Sequence, residues 1–518
     1  MLKSSGAMGV ATVISRVLGL VREMVYAAFM GIGWVADAFL LAFTIPNLFR
    51  RLLGEGALTA AFIPIFKEKE TQEGRDAMWR TASAVISGLV LATTAIAALC
   101  AAIASILTWS GRFDGNGKVL LMLELLRLMF PYVIFVCVAA LFMAMLNARG
   151  HFFVPALGAA LLNVIMIASV LWIAPLLGAT LDRQVLGLGI GVLLAGLAQA
   201  LFQFPLLHRE GFRFRWISPW QDATVREVVK RMIPGTVGVA AFQINVLVTK
   251  CLAFSVAPGV VASFDYAVRL MELPQGIFGL SLATYLLPAL SGLFAEKKYE
   301  DFRTTIAQAA GYLIFINLLA TVVLLTLGEP MVRLLFERRS FDEVATHRTT
   351  MALMALSPGL IAFSMVNILA RAFYAAGDTT TPMKISVFCL GLNVIVSAAL
   401  VWSLQEVGMG VANTFTSIIN GVLLAYALRR KFKRLDWAEL VRHLPGLAGA
   451  ALVAGAAAWC LKSLWGAQFG HVSLTERIGH VFVPMCAATV LYIGIAWWLR
   501  VPYANDLLAL ARIRSRKI

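Results

Sequence analysis

The sequence predicts an all-α integral membrane protein of fourteen transmembrane helices. Two parallel six-helix repeats would surround a central cavity, with two additional helices at the C-terminal end. Three observations lead there. The 518 residues are 60% hydrophobic and only 14% charged, whereas a soluble chain carries about 25% charge. Apolar residues come in continuous runs of about 20, each enough to cross a hydrocarbon core of about 30 Å. The punctuation of the first half then recurs in the second at a fixed offset.

Taken in order, the runs fall at 8–31, 35–66, 82–108, 120–147, 153–176, 185–207, 233–256, 260–294, 305–328, 350–376, 383–404, 408–428, 444–463 and 478–499. Continuous apolar runs call for helices, because barrel strands of about ten residues would alternate polar and apolar positions. The second, eighth and tenth runs exceed the length of a span, which predicts kinks, tilt or extension beyond the bilayer. The first run does not read as a secretory leader, whose core is short and uncharged. It carries Arg16, Arg22 and Glu23 and is expected to be retained. The six cysteines fall one to a span with no CxxC pair, so they read as small apolar residues and not as metal ligands or disulfide partners.

The net charge is +16. With the N-terminus inside, 27 Lys and Arg lie on cytoplasmic segments and 9 on the opposite side. That bias is the positive-inside pattern and predicts two cytoplasmic termini. The loop charge therefore reads as topology and contact with anionic lipid, with no nucleic-acid partner. The other eight cations sit inside spans: Arg16, Arg22, Arg50, Arg51, Arg127, Lys250, Arg269 and Arg371.

An internal repeat organises the spans. Pro131 and Pro358, Gly150 and Gly377, and Pro155 and Pro382 are each 227 residues apart, and Asn163 and Asn393 are 230 apart. In both halves a helix ends at the glycine and a proline opens the next. Two long spans are also interrupted by proline, at Pro46 and Pro274. An offset of six spans gives the halves one orientation, an arrangement found in transporters. The expected units are 1–220 (helices 1–6), 221–435 (helices 7–12) and 436–518, the last pair with its basic tail.

The charges inside spans carry the functional signal. A charge at the bilayer centre costs about 2.5–3.5 kcal/mol, so five lipid-facing arginines would cost on the order of 10 kcal/mol or more. Snorkelling from a span end accounts for Arg127 and Arg371, but not for clustering. At 100° per residue, Arg16 and Glu23 share a face while Arg22 diverges from Arg16 by about 120°. Both arginines can face one cavity only if the helix bends near Gly19; in a straight helix one of them is structural. In the second span Asp37, Thr44, Arg51 and Glu55 form a stripe with Arg50 beside it. In the eighth, Asp265, Arg269 and Glu272 share a face. Such stripes either lock a bundle by Arg–carboxylate pairing or line a wet cationic cavity for an anionic substrate, for which the planar, always charged arginine is suited. No GxxxxGK[ST], HExxH or GxSxG occurs. "GLGIGVLLAG" from Gly187 follows no strand, so it reads as close helix packing. An enzyme is not expected.

"SRVLGLVRE", "ADAFLLAFTIPNLFRRLLGEGALTAAFIP", "RLMELPQGIFGLSLATYLLP" and "ARAFYAAGDTTTPMKI" resemble the MurJ (MviN) family of lipid II flippases. That family lies in the superfamily of MATE exporters and polysaccharide flippases. The likeness runs from about residue 8 to 430. It implies a bacterial cytoplasmic membrane protein that moves undecaprenyl-diphosphate disaccharide-pentapeptide to the outer leaflet by alternating access. It further implies substrate contacts at Arg16, Arg22, Asp37, Asn47, Arg50, Arg51, Glu55, Arg269 and Glu272. Glu23, Thr44, Lys250, Asp265 and Arg371 stand as secondary candidates. Helices thirteen and fourteen would form a groove for the polyprenyl tail. Thr44 departs from relatives that often carry a basic residue before "IPN", and Arg50 or Lys250 could supply that charge. No cofactor or metal is expected. Sodium, a proton or the membrane potential could drive the cycle, with Asp265 and Asp378 as ion candidates, and the cell-wall synthesis machinery is an expected partner. A flippase for another polyprenyl-diphosphate oligosaccharide is the alternative, and a MATE-like exporter is further off because it should present an acidic cavity.

Overall fold

In the computed structural model the described residues are 2–54, 56–220, 222–276, 280–432 and 437–506, with the side chains of 2–10, 238 and 280–285 outside that description. Glu55 therefore lies outside the described residues. The chain divides into two compact units, Met1–Phe254 and Ser255–Ile518. That division falls one helix later than the expected 220/221 boundary.

The first unit contains α1 (Leu2–Met30), α2 (Trp34–Phe49), a π-helical turn (Arg50–Gly54), α3 (Ala57–Glu73), α4 (Arg75–Trp109), α5 (Gly117–Met129) and α6 (Tyr132–Ala148). It continues through α7 (Phe153–Ala168), a π turn (Ser169–Ile173), a 3₁₀ turn (Ala174–Leu177), α8 (Leu181–Arg209) and α9 (Ala223–Val256), whose last two residues cross the division. The second unit contains α10 (Val260–Pro274), α11 (Leu280–Ala295), α12 (Tyr299–Phe336), α13 (Glu343–Leu356), α14 (Gly359–Ala375), α15 (Thr380–Phe432), α16 (Ala438–Phe469) and α17 (Leu474–Trp498). Helix α15 is two helices joined at Gln405, whose φ of 51° breaks the helical path.

Among the described residues, eight helices are long and apolar enough to span a membrane, or ten if each bent pair is one span. Each of the fourteen expected spans falls on a helix, a helix series or half of α15. The spans outside the apolar set are α1, the α2–α3 series and the α10–α11 series. These three carry five of the eight in-span cations, Arg16, Arg22, Arg50, Arg51 and Arg269, while Arg127, Lys250 and Arg371 lie on α5, α9 and α14.

The repeat punctuation has a structural meaning. Pro131 and Pro358 precede α6 and α14, where the chain bends by 43° after α5 and by 47° after α13. Proline removes an N–H and crowds the preceding turn, which is why the bend falls there. Gly150 (φ +87°) and Gly377 (φ +74°) end α6 and α14 in the left-handed region. Beyond each, the next amide donates back to the final turn: His151 N–H to Leu146 O and Asp378 N–H to Phe373 O, both 2.9 Å. Helix pairings repeat as well. Helix α2 packs on α5 as α10 packs on α13, and α4 packs on α5 and α6 as α12 packs on α13 and α14.

Helix α8 shows why "GLGIGVLLAG" is glycine-rich. A Cβ on Gly187 would lie 2.7 Å from the Ala174 backbone Cα, one on Gly189 2.7 Å from Leu128, and one on Gly196 2.6 Å from Tyr132. These residues let α8 close onto α5, α6 and the 3₁₀ turn, as expected from the sequence. At one end of this unit Phe66, Trp79, Phe142 and Phe212 form an aromatic core. In the second unit α12 is the hub, and α16 and α17 pack on it through Leu447, Ala451, Ala454 and Tyr492.

Candidate functional site

Helix α1 is continuous through Gly19, so no break in the helix brings Arg16 and Arg22 onto one face. The two arginines do diverge. Arg22 turns toward α7, donating through Nη1 to Asn163 Oδ1 at 3.0 Å and through Nη2 to Glu23 Oε1. Its guanidinium lies 5.7 Å from the Tyr26 ring centroid, a cation–π distance. Asn163 closes the arrangement by donating to Ser15 O at 3.1 Å. Glu23 is 8% exposed, and burying it is tolerable because the Arg22 charge and hydrogen bonds are beside it. Arg16 is exposed. By this geometry Arg22 holds α1 to α7, and Arg16 is the arginine of α1 that faces outward.

Helix α2 carries the second set. Asp37 has no exposed surface, and Lys118 Nζ lies 3.1 Å from its Oδ2. The resemblance implies a substrate contact at Asp37, whereas the cation paired with it here is Lys118, which lies just before the expected span at 120–147. A signal for Lys118 was present: it sits in the first turn of α5, where the helix dipole disfavours a cation. Two turns further along α2, Thr44 donates to Leu40 O at 2.6 Å and accepts from Lys250 Nζ at 3.2 Å. Of the two candidates to supply a cation at Thr44, the geometry sets Lys250 against it.

Beyond Thr44, Pro46 is buried inside α2 and Asn47 is half-buried. The π turn Arg50–Gly54 then rotates the chain out of the α-helical register, so the stripe from Asp37 to Arg51 is not one straight face. Such single π turns are frequent at functional sites. Gly54 makes the close approach possible, since a Cβ there would sit 3.3 Å from Cys137 Cα and Sγ. Arg50 is half-buried and Arg51 exposed. The second unit's set is on α10, where Arg269 Nη1 donates to Glu272 Oε2 at 3.0 Å. Both side chains are half exposed, and Asp265 is half-buried on the same helix. Arg371 is half-buried in α14.

Sequence reasoning missed a second buried ion pair. Arg348 in α13 grips Glu406 with two bonds of 2.7 Å, Nε to Oε1 and Nη2 to Oε2. Glu406 is only 4% exposed, and the planar fork suits this bidentate contact. Asp378, one of the ion candidates, accepts from Thr381 N–H at 3.0 Å and Lys431 Nζ at 2.7 Å. The Lys431 hydrogen bond, with the Thr381 amide, draws its carboxyl down to about 2, so it stays ionised and caps α15. Among the described residues no His/Cys/Asp/Glu group is arranged to hold a metal ion.

A family model described as lipid II flippase MurJ matches residues 26–479. A probable lipid II flippase MurJ of Vibrio cholerae is 34% identical over 512 residues, covering 96% of each chain. The lipid II flippase MurJ of Burkholderia cenocepacia is 30% identical over 505 residues, covering 95% of this chain and 96% of its own. A solved lipid II flippase MurJ in an inward closed conformation superposes with a TM-score of 0.78 at 22% identity, covering 97% of this chain and 99% of its own. An inward-facing MATE family transporter of the MOP superfamily has the same fold at a TM-score of 0.66 and 15% identity, covering 82% and 95%. With the family model spanning most of its length and relatives at this identity aligned end to end, the chain belongs to the MurJ family of lipid II flippases.

Proposed function

We propose that this chain moves lipid II, the undecaprenyl-diphosphate-linked disaccharide-pentapeptide, from the cytoplasmic to the outer leaflet by alternating access. It is a transporter and not an enzyme. One observation carries the reading of its site: within an apolar membrane protein of this family, Arg16, Arg51 and Arg269 are exposed, one on each of the span series α1, α2–α3 and α10–α11. An exposed guanidinium there meets a diphosphate with charge-assisted bonds. Arg50 adjoins Arg51 in the π turn, and Glu272 holds Arg269 until substrate displaces it. Arg22, Glu23 and Asp37 act one step back, holding helices in place. Asn47 faces the same stretch of α2, and Lys250 presents a cation at Thr44. The 27-to-9 distribution of cations supports a cytoplasmic-membrane placement with both termini inside. Residues 437–506 supply the exposed apolar surface of α16 and α17 suited to the polyprenyl tail, and synthesis enzymes that consume lipid II outside are the natural partners.

The test is complementation in cells depleted of their own flippase, reading surface exposure of lipid II. Wild-type protein restores it. Arg51→Ala and Arg269→Ala each lower it about tenfold or more, the loss expected from a charge-assisted bond of about 1.5–3 kcal/mol. Full activity in both variants at normal expression would remove the diphosphate assignment.

A further inference from the structure

Lys118 and Arg348 do more than neutralise buried carboxylates. Lys118 Nζ, while paired with Asp37, also donates to Phe254 O at 2.8 Å and stands 4.1 Å from the Phe254 ring centroid. Arg348, while gripping Glu406, donates through Nη1 to Pro258 O at 2.9 Å and through Nη2 to Gln405 Oε1 at 3.3 Å. Phe254 ends the first unit, and Pro258 lies four residues on, at the start of the second. The two cations are 230 residues apart, the offset already seen for Asn163 and Asn393. Each unit thus uses a repeat-related cation to hold the nearer end of the segment that joins them.

We propose that Lys118 and Arg348 are positioning residues of the transport cycle, each pinning one end of the 254–258 connector through a backbone carbonyl. The chemistry of each contact divides in two. A buried carboxylate, Asp37 or Glu406, fixes where the cation sits, and leaving that carboxylate would strand a charge. The carbonyl bond is the weaker part, and it can break while the ion pair stays intact. A change of state therefore frees the connector without exposing a buried ion. Gly259 (φ +86°) and Gln405 (φ +51°) flank the second pin with positive backbone φ, a strained setting for Gln405. This rests on the flippase reading for the cycle it serves, but the pins themselves are testable without lipid II.

The experiment uses the full chain in nanodiscs of phosphatidylethanolamine and phosphatidylglycerol. Hydrogen–deuterium exchange is followed in peptides covering residues 252–262. Lys118→Met/Asp37→Asn and Arg348→Met/Glu406→Gln each remove a pin without leaving a lone buried charge. Each is expected to speed exchange of the connector by about threefold or more, with α4 and α12 unchanged. Lys118→Arg, which keeps a cationic donor for Phe254 O beside Asp37, is expected to keep both connector exchange and lipid II exposure near wild type. Unchanged connector exchange in both double variants overturns the proposal, as does acceleration spread evenly over the helices, which would mark a merely structural role. Should one double variant fail to fold, the other pin and Lys118→Arg carry the test. If wild-type protein itself fails to expose lipid II, the flippase reading falls while the exchange result still decides the pins.

Discussion

A carboxylate with no exposed surface is stable only beside a fixed counter-charge, and Asp37 with Lys118 is such a case. Removing one partner should cost more than removing both. Lys118→Met is expected to lower stability by about 3–5 kcal/mol, and adding Asp37→Asn to recover most of that, as read by thermal unfolding in detergent. Asp378 allows a pH prediction. Its depressed carboxyl, about 2 in the folded chain, contributes stability that is fully present above the ordinary carboxylate value of about 4. That contribution is lost progressively as pH falls from about 4 through about 2. At physiological pH Asp378 carries no proton, so Asp378→Asn should lower the melting temperature yet leave the pH profile of lipid II transport unchanged. A shifted profile would make Asp378 a proton carrier after all. Residue identity made Asp37, Arg22 and Arg269 visible in the sequence as charges in apolar runs. Their partners were not visible, because Lys118 lies 81 positions from Asp37 and Asn163 lies 141 from Arg22.

At the scale of elements, local chemistry and packing divide the work. The bends before Pro131 and Pro358 and the left-handed ends at Gly150 and Gly377 follow from residues that cannot or need not continue a helix. The glycine ends and a kink in the tenth run were legible for that reason, while the bend before Pro131 was not expected in a run of ordinary length. The continuity of α1 through Gly19 and the π turn at Arg50–Gly54 were not legible, since glycine permits a break without requiring one. Helix α1 is seated on α7 through Arg22, Asn163 and Ser15. Helix α8 gives a prediction that separates packing from propensity. Gly187→Ala should destabilise by about 1–3 kcal/mol, because its new methyl meets the Ala174 backbone, which has no side chain to swing aside. Gly158→Ala, whose Cβ would find Gln203 only at 4.0 Å, should be neutral or gain about 0.5–1 kcal/mol from helix propensity. Melting temperatures of the two variants side by side decide this.

At the scale of the molecule, each unit holds itself together differently. The first relies on an aromatic core and an ionic clamp in which Arg149 meets Glu70 and, at 2.9 Å, Glu210, with His151 on the other Glu210 oxygen at 2.8 Å. The His151 and Arg149 hydrogen bonds hold the Glu210 carboxyl below its ordinary value, so the clamp weakens only as acid protonates it. The second unit is centred on α12, with α16 and α17 bound by Tyr492 donating to Phe315 O at 2.9 Å and by Arg477 reaching Glu337 O at the same distance. A chain ending at residue 435 would strip that face of α12. It is expected to express poorly and melt earlier than the full chain, even though the repeat itself is intact. Normal folding of the truncated chain would show the last two helices to be dispensable to the unit.

Composition, hydropathy and the 227-residue offset determined by themselves that this is a helical membrane protein built on a repeat, because those properties are additive along the chain and need no partner. The motifs around Arg16, Arg51 and Arg269 determined the family in the same way. Only the tertiary structure decided which charges are paired and which are exposed. Pairing depends on distances across helices that sequence spacing does not encode, and burial makes each such pairing obligatory once the helices meet.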